Sequence, residues 1–124
     1  MTHVRRIGGV FFRSKDPAAT AKWYQTHLGL PIEDFGGATL GARDHEAVWA
    51  PFAADTDYFG PTDQPLMVNY VVDDLDAVLE RLRADGVEVD DRSEESEFGR
   101  FGWAVDGDGR RFELWQPPAG GYPA

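Results

Sequence analysis

Glu113 is the residue of this sequence with the clearest potential for chemistry. It lies between Phe112 and Leu114, in an apolar run near the carboxyl end of the chain. Such a carboxylate is either a surface residue of an alternating strand or the acid of an inward-facing site. If it is buried and unpaired, its pKa rises and it can act as a general base. If it pairs with Arg13 or Arg111, it only satisfies a buried charge. The sequence leaves both alternatives open.

Cysteine and histidine, the side chains that supply sulfur and nitrogen ligands to metals, are few. The chain has no cysteine, which excludes disulfides, thiolate nucleophiles and cysteine-based metal sites. Of the three histidines, His3 lies near the amino terminus, His27 in the last turn of a predicted helix, and His45 in a predicted turn beside Glu46. Adjacent residues of a strand face opposite sides, so His45 and Glu46 need a bulge or a register shift to bind one ion.

The composition limits the classes of partner. With 124 residues, 42% of them hydrophobic, the chain can form one domain with a sizeable core. Twelve Lys and Arg against 22 Asp and Glu give a net charge of −10, which disfavours nucleic acid and anionic membrane surfaces. Because the sequence shows neither an apolar signal region nor an apolar run of membrane-spanning length, we expect a cytoplasmic protein.

The first half of the chain predicts a strand, a helix and further strands. Residues 7–14 form a plausible strand. Asp16-Pro17 then begins a helix, because Asp caps free amide groups and Pro fits the first helical position. Gly29 ends this helix. Extended segments follow, the last of them at residues 47–52.

The second half repeats this order after an irregular connection. A strand is predicted at residues 66–72, and Asp73-Asp74 caps a helix that ends at Gly86. Residues 87–90 alternate as a half-buried strand does. Residues 98–117 predict a hairpin, because their central Asp-Gly-Asp-Gly tolerates the positive φ of a tight turn.

The two halves match at an offset of 58 residues, which indicates an internal duplication. Val10 falls on Val68, and the Trp-x-Pro motif that begins at Trp49 falls on the one that begins at Trp115. Each copy reads as a strand, a helix and three strands. One copy alone leaves a face of its sheet bare, so the two must cover each other or share a cleft.

At this level the chain resembles the vicinal oxygen chelate superfamily, the glyoxalase, bleomycin-resistance and extradiol-dioxygenase group. The resemblance covers residues 7–117 and implies a homodimer with an α+β fold, in which two tandem βαβββ modules form a curved mixed sheet around a cleft. A single domain would then comprise module 1 at about 7–52, a connection at 53–65, module 2 at about 66–117 and a tail at 118–124. The residues that carry the resemblance are Phe12-Arg13-Ser14-Lys15-Asp16-Pro17, Trp23-Tyr24, Leu28-Gly29-Leu30, Val72-Asp73-Asp74-Leu75-Asp76, Gly86-Val87, Gly99-Arg100-Phe101 and Glu113-Leu114-Trp115-Gln116-Pro117.

The resemblance also implies where a metal would bind. Metal-dependent members hold one divalent ion with four His or Glu side chains, and these positions fall here at Gly9, Ala47, Met67 and Glu113. Only Glu113 is a ligand type for such ions, because Gly9 and Ala47 carry no donor and the thioether of Met67 suits soft copper. One carboxylate cannot supply the several donors that a divalent ion needs. We therefore expect no metal ion and no other cofactor.

Strand alternation from these positions predicts a mostly aromatic and apolar cleft. Arg111 and Trp115 face inward with Glu113, while Phe112 and Leu114 face the helices. For the strand at 98–105, alternation does not decide which face is inward. The lining suits a small, partly aromatic organic ligand. The predicted ligand-binding residues are Phe11, Arg13, Trp49, Met67, Asn69, Trp103, Arg111 and Trp115, with Glu113 as the candidate catalytic base.

Three functions follow from these expectations. The first is a glyoxalase-like or bleomycin-resistance-like protein that binds a small molecule without the family's metal, with or without catalysis by Glu113. The second is a metal-dependent lyase, isomerase or dioxygenase. The third is a resistance protein that sequesters a cationic drug, which a net charge of −10 would attract. In all three, Tyr58 and Phe59 of the connection either form a lid over the cleft or pack the module junction.

Overall fold

A computed structural model describes residues 4–60 and 63–119 of the chain. The strands and helices of these ranges form a curled, mixed seven-stranded sheet, a half-barrel, with two helices. The order across the sheet is β2-β3-β1-β4-β7-β6-β5. This confirms the predicted α+β fold class. The elements are β1 (Val4–Ser14), α1 (Pro17–Leu28), β2 (Ala38–Leu40), β3 (Ala47–Ala53), β4 (Leu66–Val72), α2 (Leu75–Ala84), β5 (Glu94–Ser96), β6 (Gly99–Val105) and β7 (Arg111–Gln116).

Both helices begin at the predicted aspartates. The Asp16 carboxylate accepts a hydrogen bond from the amide of Ala19, and Asp74 accepts one from Ala77, each at 3.1 Å. These bonds satisfy amide groups that have no partner within a helix. Gly29, with a φ of 70°, ends α1 in the left-handed conformation that glycine adopts without strain. Neither helix is long and apolar enough to cross a membrane, and the described ranges hold no other helix.

The first strands of the two halves pair with each other at the centre of the sheet. β1 and β4 run antiparallel with Val10 opposite Val68, and Gly9 lies opposite Asn69. Val10 and Val68 are equivalent under the 58-residue offset, so a local twofold relation passes through this pair. On either side of it, β1 pairs in parallel with β3, and β4 in parallel with β7. The duplication therefore produces one continuous sheet.

One predicted strand is shorter than its alternation suggested. Residues 87–90 form only an isolated bridge, between Val89 and Ala104. The backbone of Asp90 donates to the carbonyl of Trp103 at 2.9 Å, so this segment still follows β6 closely. The edge strand beside β6 is instead β5, which lies between the two predicted segments 87–90 and 98–117.

The sheet separates two apolar clusters. The outer cluster packs under α2 and holds Leu114, with Phe112 against it, so the predicted orientation of these residues toward the helices is confirmed. The inner cluster lies within the curve of the sheet and draws residues from both halves of the chain. Its buried members are Phe11, Ala50, Phe59, Met67 and Trp103.

Arg13 holds the central connection inside the half-barrel. Its guanidinium donates to the carbonyl oxygens of Gln64 and Ala54 at 2.9 Å each and of Thr56 at 2.8 Å. Its central carbon lies 5.0 Å from the centre of the Phe59 ring. Phe59 is fully buried in the inner cluster, so of the two alternatives for this residue the structure shows packing at the module junction.

Candidate functional site

One row of residues crosses five strands of the sheet and contains Glu113. The register places Val48 of β3 beside Gly9 of β1, Gly9 beside Asn69 of β4, and Asn69 beside Glu113 of β7. Trp103 of β6 lies on the other side of Glu113. Glu113 faces the inner side of the half-barrel and is only 1% exposed. The pairing of the strands thus brings its neighbours together from distant parts of the sequence.

Three neutral groups donate hydrogen bonds to the Glu113 carboxyl. The hydroxyl of Tyr58 and the indole N–H of Trp103, at 2.9 Å, donate to Oε2, and the amide of Asn69 donates to Oε1 at 2.6 Å. Burial raises the pKa of Glu113 above its ordinary value of 4.5, and the three hydrogen bonds oppose this shift without cancelling it. Burial also raises the pKa of the Tyr58 hydroxyl, and the charge of Glu113 raises it further.

The ion-pair alternative for Glu113 is not realised. Arg111 pairs with Asp90 at 3.0 Å, and the Arg13 guanidinium donates to carbonyl oxygens of the connection. No salt bridge reaches Glu113 from any residue in the described ranges. Within residues 4–60 and 63–119 the carboxyl is held by neutral hydrogen-bond donors, which is why burial dominates its pKa.

A cavity of about 250 Å³ lies above this carboxyl. Aromatic rings form most of its wall. Phe35 and Phe98 are 54% and 38% exposed, so they form its rim. The rings of Phe101 and Trp115 are nearly parallel, with centroids 6.1 Å apart. The lining residues are Phe11, Phe35, Val48, Tyr58, Asn69, Phe98, Phe101, Glu113 and Trp115.

The structure brings some of the predicted ligand-binding residues together and separates others. Phe11, Asn69 and Trp115 line the cavity with Glu113. Met67 and Trp103 are fully buried in the inner cluster, next to the cavity but outside its lining. Arg13 and Arg111 also lie outside the lining, because their guanidinium groups bind the connection and Asp90.

The predicted inward orientation of Trp49 is wrong. Its ring packs on the outer side of the sheet, with its centroid 5.2 Å from that of Phe12 and 4.8 Å from that of Tyr24 on α1. β3 presents Val48 to the cavity instead. Trp49 therefore packs against the first helix.

The cause of this error is the register of β3. Asn69 pairs with Glu113 in the second half, and the residue equivalent to Asn69, Phe11, pairs with Ala50 in the first. Ala50 is thus the structural counterpart of Glu113, and Ala47 is not. The shared Trp-x-Pro motif gave an alignment that is three residues off. An odd shift moves every side chain of a strand to the opposite face.

Five lining residues are not among the predicted ligand-binding residues, although a lid over the cleft was one of the two alternatives for Tyr58. Tyr58 lies in an irregular connection without periodicity, and the only signal was an aromatic residue in a polar segment. The structure shows that Tyr58 contacts the inner cluster and also lines the cavity. The other four are Phe35, Val48, Phe98 and Phe101.

Gly8 leaves the space that the site needs on β1. The pairing with β4 is irregular between Ile7 and Gly9, which is a bulge. A Cβ atom on Gly8 would collide with Asn69 Oδ1 and would lie 2.9 Å from the Trp115 ring. Asn69 Oδ1 is buried, and it has no hydrogen-bond partner within the described part of the chain.

The sequence and the fold match a known family. The model of the Glyoxalase/Bleomycin resistance protein/Dioxygenase superfamily matches residues 6–114. The chain belongs to this superfamily. The resemblance inferred from the sequence is thus confirmed at the level of the superfamily.

Solved structures of the superfamily fold are similar at low sequence identity. Methylmalonyl-CoA epimerase from Mycobacterium tuberculosis is 22% identical, with a TM-score of 0.68 over 94% of this chain and 91% of that chain. A variant of the Streptomyces coelicolor epimerase in complex with 2-nitronate-propionyl-CoA is 19% identical, with a TM-score of 0.71 over 94% of this chain and 100% of that chain. At these identities the similarity shows the fold alone. No curated protein matches the chain significantly.

The metal-binding positions of the superfamily do not fit a divalent ion in this chain. Gly9 and Ala50 carry no donor, Met67 offers a thioether, and Glu113 is one carboxylate. The described ranges contain no group of three or more His, Cys, Asp or Glu side chains that could hold a metal. His45 and Glu46 line a different cavity, where Glu46 lies 3.9 Å from Arg6.

We therefore predict that the protein retains no stoichiometric metal. Protein purified without chelator should contain far less than one equivalent of iron, zinc, manganese or nickel by elemental analysis, because one carboxylate cannot replace a set of converging donors. Near-stoichiometric content of any of these metals would contradict this assignment.

The raised pKa of Glu113 predicts a pH-dependent stability difference. Between 4.5 and its raised folded pKa, the folded chain keeps a proton that the unfolded chain has released. Stability from this group is complete below 4.5 and is lost as pH rises through the folded pKa. Glu113→Gln removes the titration, so its stability relative to the wild type should increase with pH, by about 1.4 kcal/mol per pH unit between the unfolded and the folded pKa.

Chemical denaturation between about pH 4 and 8 measures this difference, because the range must begin below 4.5. Tyr58 and Glu94 are the titratable groups that influence the pKa of Glu113. The wild type and Glu113→Gln both retain them. Glu80→Gln is the matched control, because Glu80 is exposed on α2 and its removal should leave the pH dependence unchanged. A difference between Glu113→Gln and wild type that stays constant over this range would exclude a raised pKa.

Proposed function

We propose that the protein binds a small, partly aromatic organic molecule in the cavity above Glu113, without a resident metal ion. One observation carries this proposal: a buried carboxyl without a cationic partner in the described ranges lies at the base of a cavity with aromatic walls. Ligand sites commonly combine an apolar lining with a few polar groups that set orientation. Here Tyr58, Asn69 and Glu113 are those polar groups.

The size of the cavity supports a ligand with one substituted ring. A cavity of roughly 150 Å³ lined by apolar side chains can hold benzene. The cavity above Glu113 is larger, at about 250 Å³, and its aromatic rings offer both faces and edges to a ligand ring. The exposed rim at Phe35 and Phe98 provides an entry from solvent.

A second candidate function is proton abstraction from the bound molecule by Glu113. A carboxylate whose pKa is raised by burial is a stronger base than one in water. Tyr58, Asn69 and Trp103 fix its orientation, as a general base requires. Binding and proton abstraction use the same carboxyl. Which of the two occurs depends on whether the bound molecule presents an acidic proton to Glu113.

Binding of a coenzyme A thioester, the ligand class of the similar epimerases, has less support. The phosphate groups of such a ligand need cationic partners. None of the described residues that line the cavity is basic. The homodimer and the cytoplasmic location stay predictions from the sequence.

A larger side chain in the cavity should weaken the binding of a small aromatic ligand. We expect indole to shift backbone amide resonances around the cavity in a saturable manner in the wild type. Val48→Phe should weaken this binding at least tenfold, or by about 1.4 kcal/mol, because the larger ring occupies the ligand volume next to Phe11. Two-dimensional ¹H–¹⁵N NMR titration measures both affinities.

The matched control is Val10→Phe. Val10 is 38% exposed, and the alternation of β1 places it on the outer side of the sheet, so this variant should bind indole as the wild type does. The proposal is wrong if indole causes no saturable shifts at the cavity, or if Val48→Phe binds it with unchanged affinity.

A further inference from the structure

When Glu113 is ionised, it places a negative charge inside the half-barrel, and the groups that touch it supply no positive charge. Tyr58, Asn69 and Trp103 each donate a hydrogen bond and are neutral. Burial of a carboxylate is costly unless a cation is near it. The ionised site therefore lacks a counter-charge within the described chain, and a bound ligand can provide one.

Two arginines that lie over the Trp103 ring pair with acids other than Glu113. The guanidinium carbons of Arg92 and Arg111 lie 4.8 and 5.4 Å from the centre of the Trp103 ring. Arg92 lies 3.9 Å from Glu94, and Arg111 lies 3.0 Å from Asp90. Arg92 and Arg111 thus each have an acidic partner of their own. Neither of them neutralises the Glu113 carboxylate.

Two oxygen atoms of residues that line the cavity have capacity for a donor. In the described ranges Glu113 Oε1 accepts one hydrogen bond, from Asn69, although a carboxylate oxygen can accept two. The second acceptor is the amide oxygen of Asn69, Oδ1, which is buried and has no hydrogen-bond partner among the described residues. A ligand that carries several N–H donors is the complement of this pair.

The walls of the cavity also favour a cation. Tyr58, Phe101 and Trp115 contribute π-systems, whose negative faces attract ammonium groups. The net charge of −10 raises the local concentration of cations around the protein. An aromatic acid would instead bring a second negative charge next to Glu113.

We propose that the molecule bound in this cavity is a protonated aromatic amine, whose ammonium group donates to Glu113 while its ring packs against Phe101 and Trp115. This inference rests on the proposed function and names the chemical class of its ligand. A neutral aromatic molecule of the same shape can enter the cavity but leaves the charge of Glu113 uncompensated.

Three probes of similar shape test the charge preference: benzylamine, benzyl alcohol and benzoate. Isothermal titration calorimetry with the full chain in low salt at about pH 7 gives their affinities, with benzylamine in its protonated form. We expect benzylamine to bind at least tenfold more tightly than benzyl alcohol, or by about 1.4 kcal/mol. Benzoate should show no measurable binding.

The Glu113→Gln variant assigns the preference to this carboxyl. It should bind benzylamine and benzyl alcohol with affinities within about twofold of each other. The control Glu80→Gln removes the same charge from the exposed side of α2 and should keep the full preference. If Glu113→Gln does not fold, a pH series on the wild type replaces it, since the preference for benzylamine must fall as Glu113 becomes protonated.

Each failure has a distinct meaning. Equal affinities of the wild type for benzylamine and benzyl alcohol would overturn the inference that the ligand is a cation. The proposed binding of a small aromatic molecule would not be affected. Binding of none of the three probes at millimolar concentration would overturn both. A preference for benzylamine that survives in Glu113→Gln, or that does not change as pH is lowered, would also overturn the inference, because the charge would then lie elsewhere.

Discussion

Glu113 can be buried only while Tyr58, Asn69 and Trp103 together donate hydrogen bonds to its carboxyl. These three donors come from the central connection, β4 and β6, so the whole inner face must be assembled before the acid can be desolvated. Much of the remaining structure serves this requirement. Arg13 binds the connection that carries Tyr58, and Gly8 leaves room beside Asn69. A change in any of these contacts alters the cost of the buried charge.

The two halves of the chain have diverged at the positions that face the cavity. The local twofold relates Asn69 to Phe11, and the strand register relates Glu113 to Ala50. One half therefore supplies a hydrogen-bonded acid, and the other supplies apolar surface at the same depth. The result is a cavity with polar groups at its base and aromatic side chains in its walls, which can orient a ligand that has both kinds of group.

The sequence predicts those features that depend on local patterns. Asp16 and Asp74 mark the helix starts because capping is a local interaction, and the duplication predicts the repeated order of elements. The orientation of Trp49 was missed because it depends on the register between β1 and β3, which no local pattern specifies. The contact of Tyr58 with Glu113 spans 55 residues and arises from an irregular segment, so neither periodicity nor the duplication indicates it.

Burial outweighs hydrogen bonding at Glu113, which has no cationic partner among the residues that the structure describes. The most direct measurement is the pKa of Glu113 in the ligand-free protein, from the pH titration of its side-chain carboxyl carbon by ¹³C NMR. This account predicts a midpoint above 4.5. A midpoint at or below 4.5 would show that the carboxylate is already compensated in the folded chain, and would contradict the account.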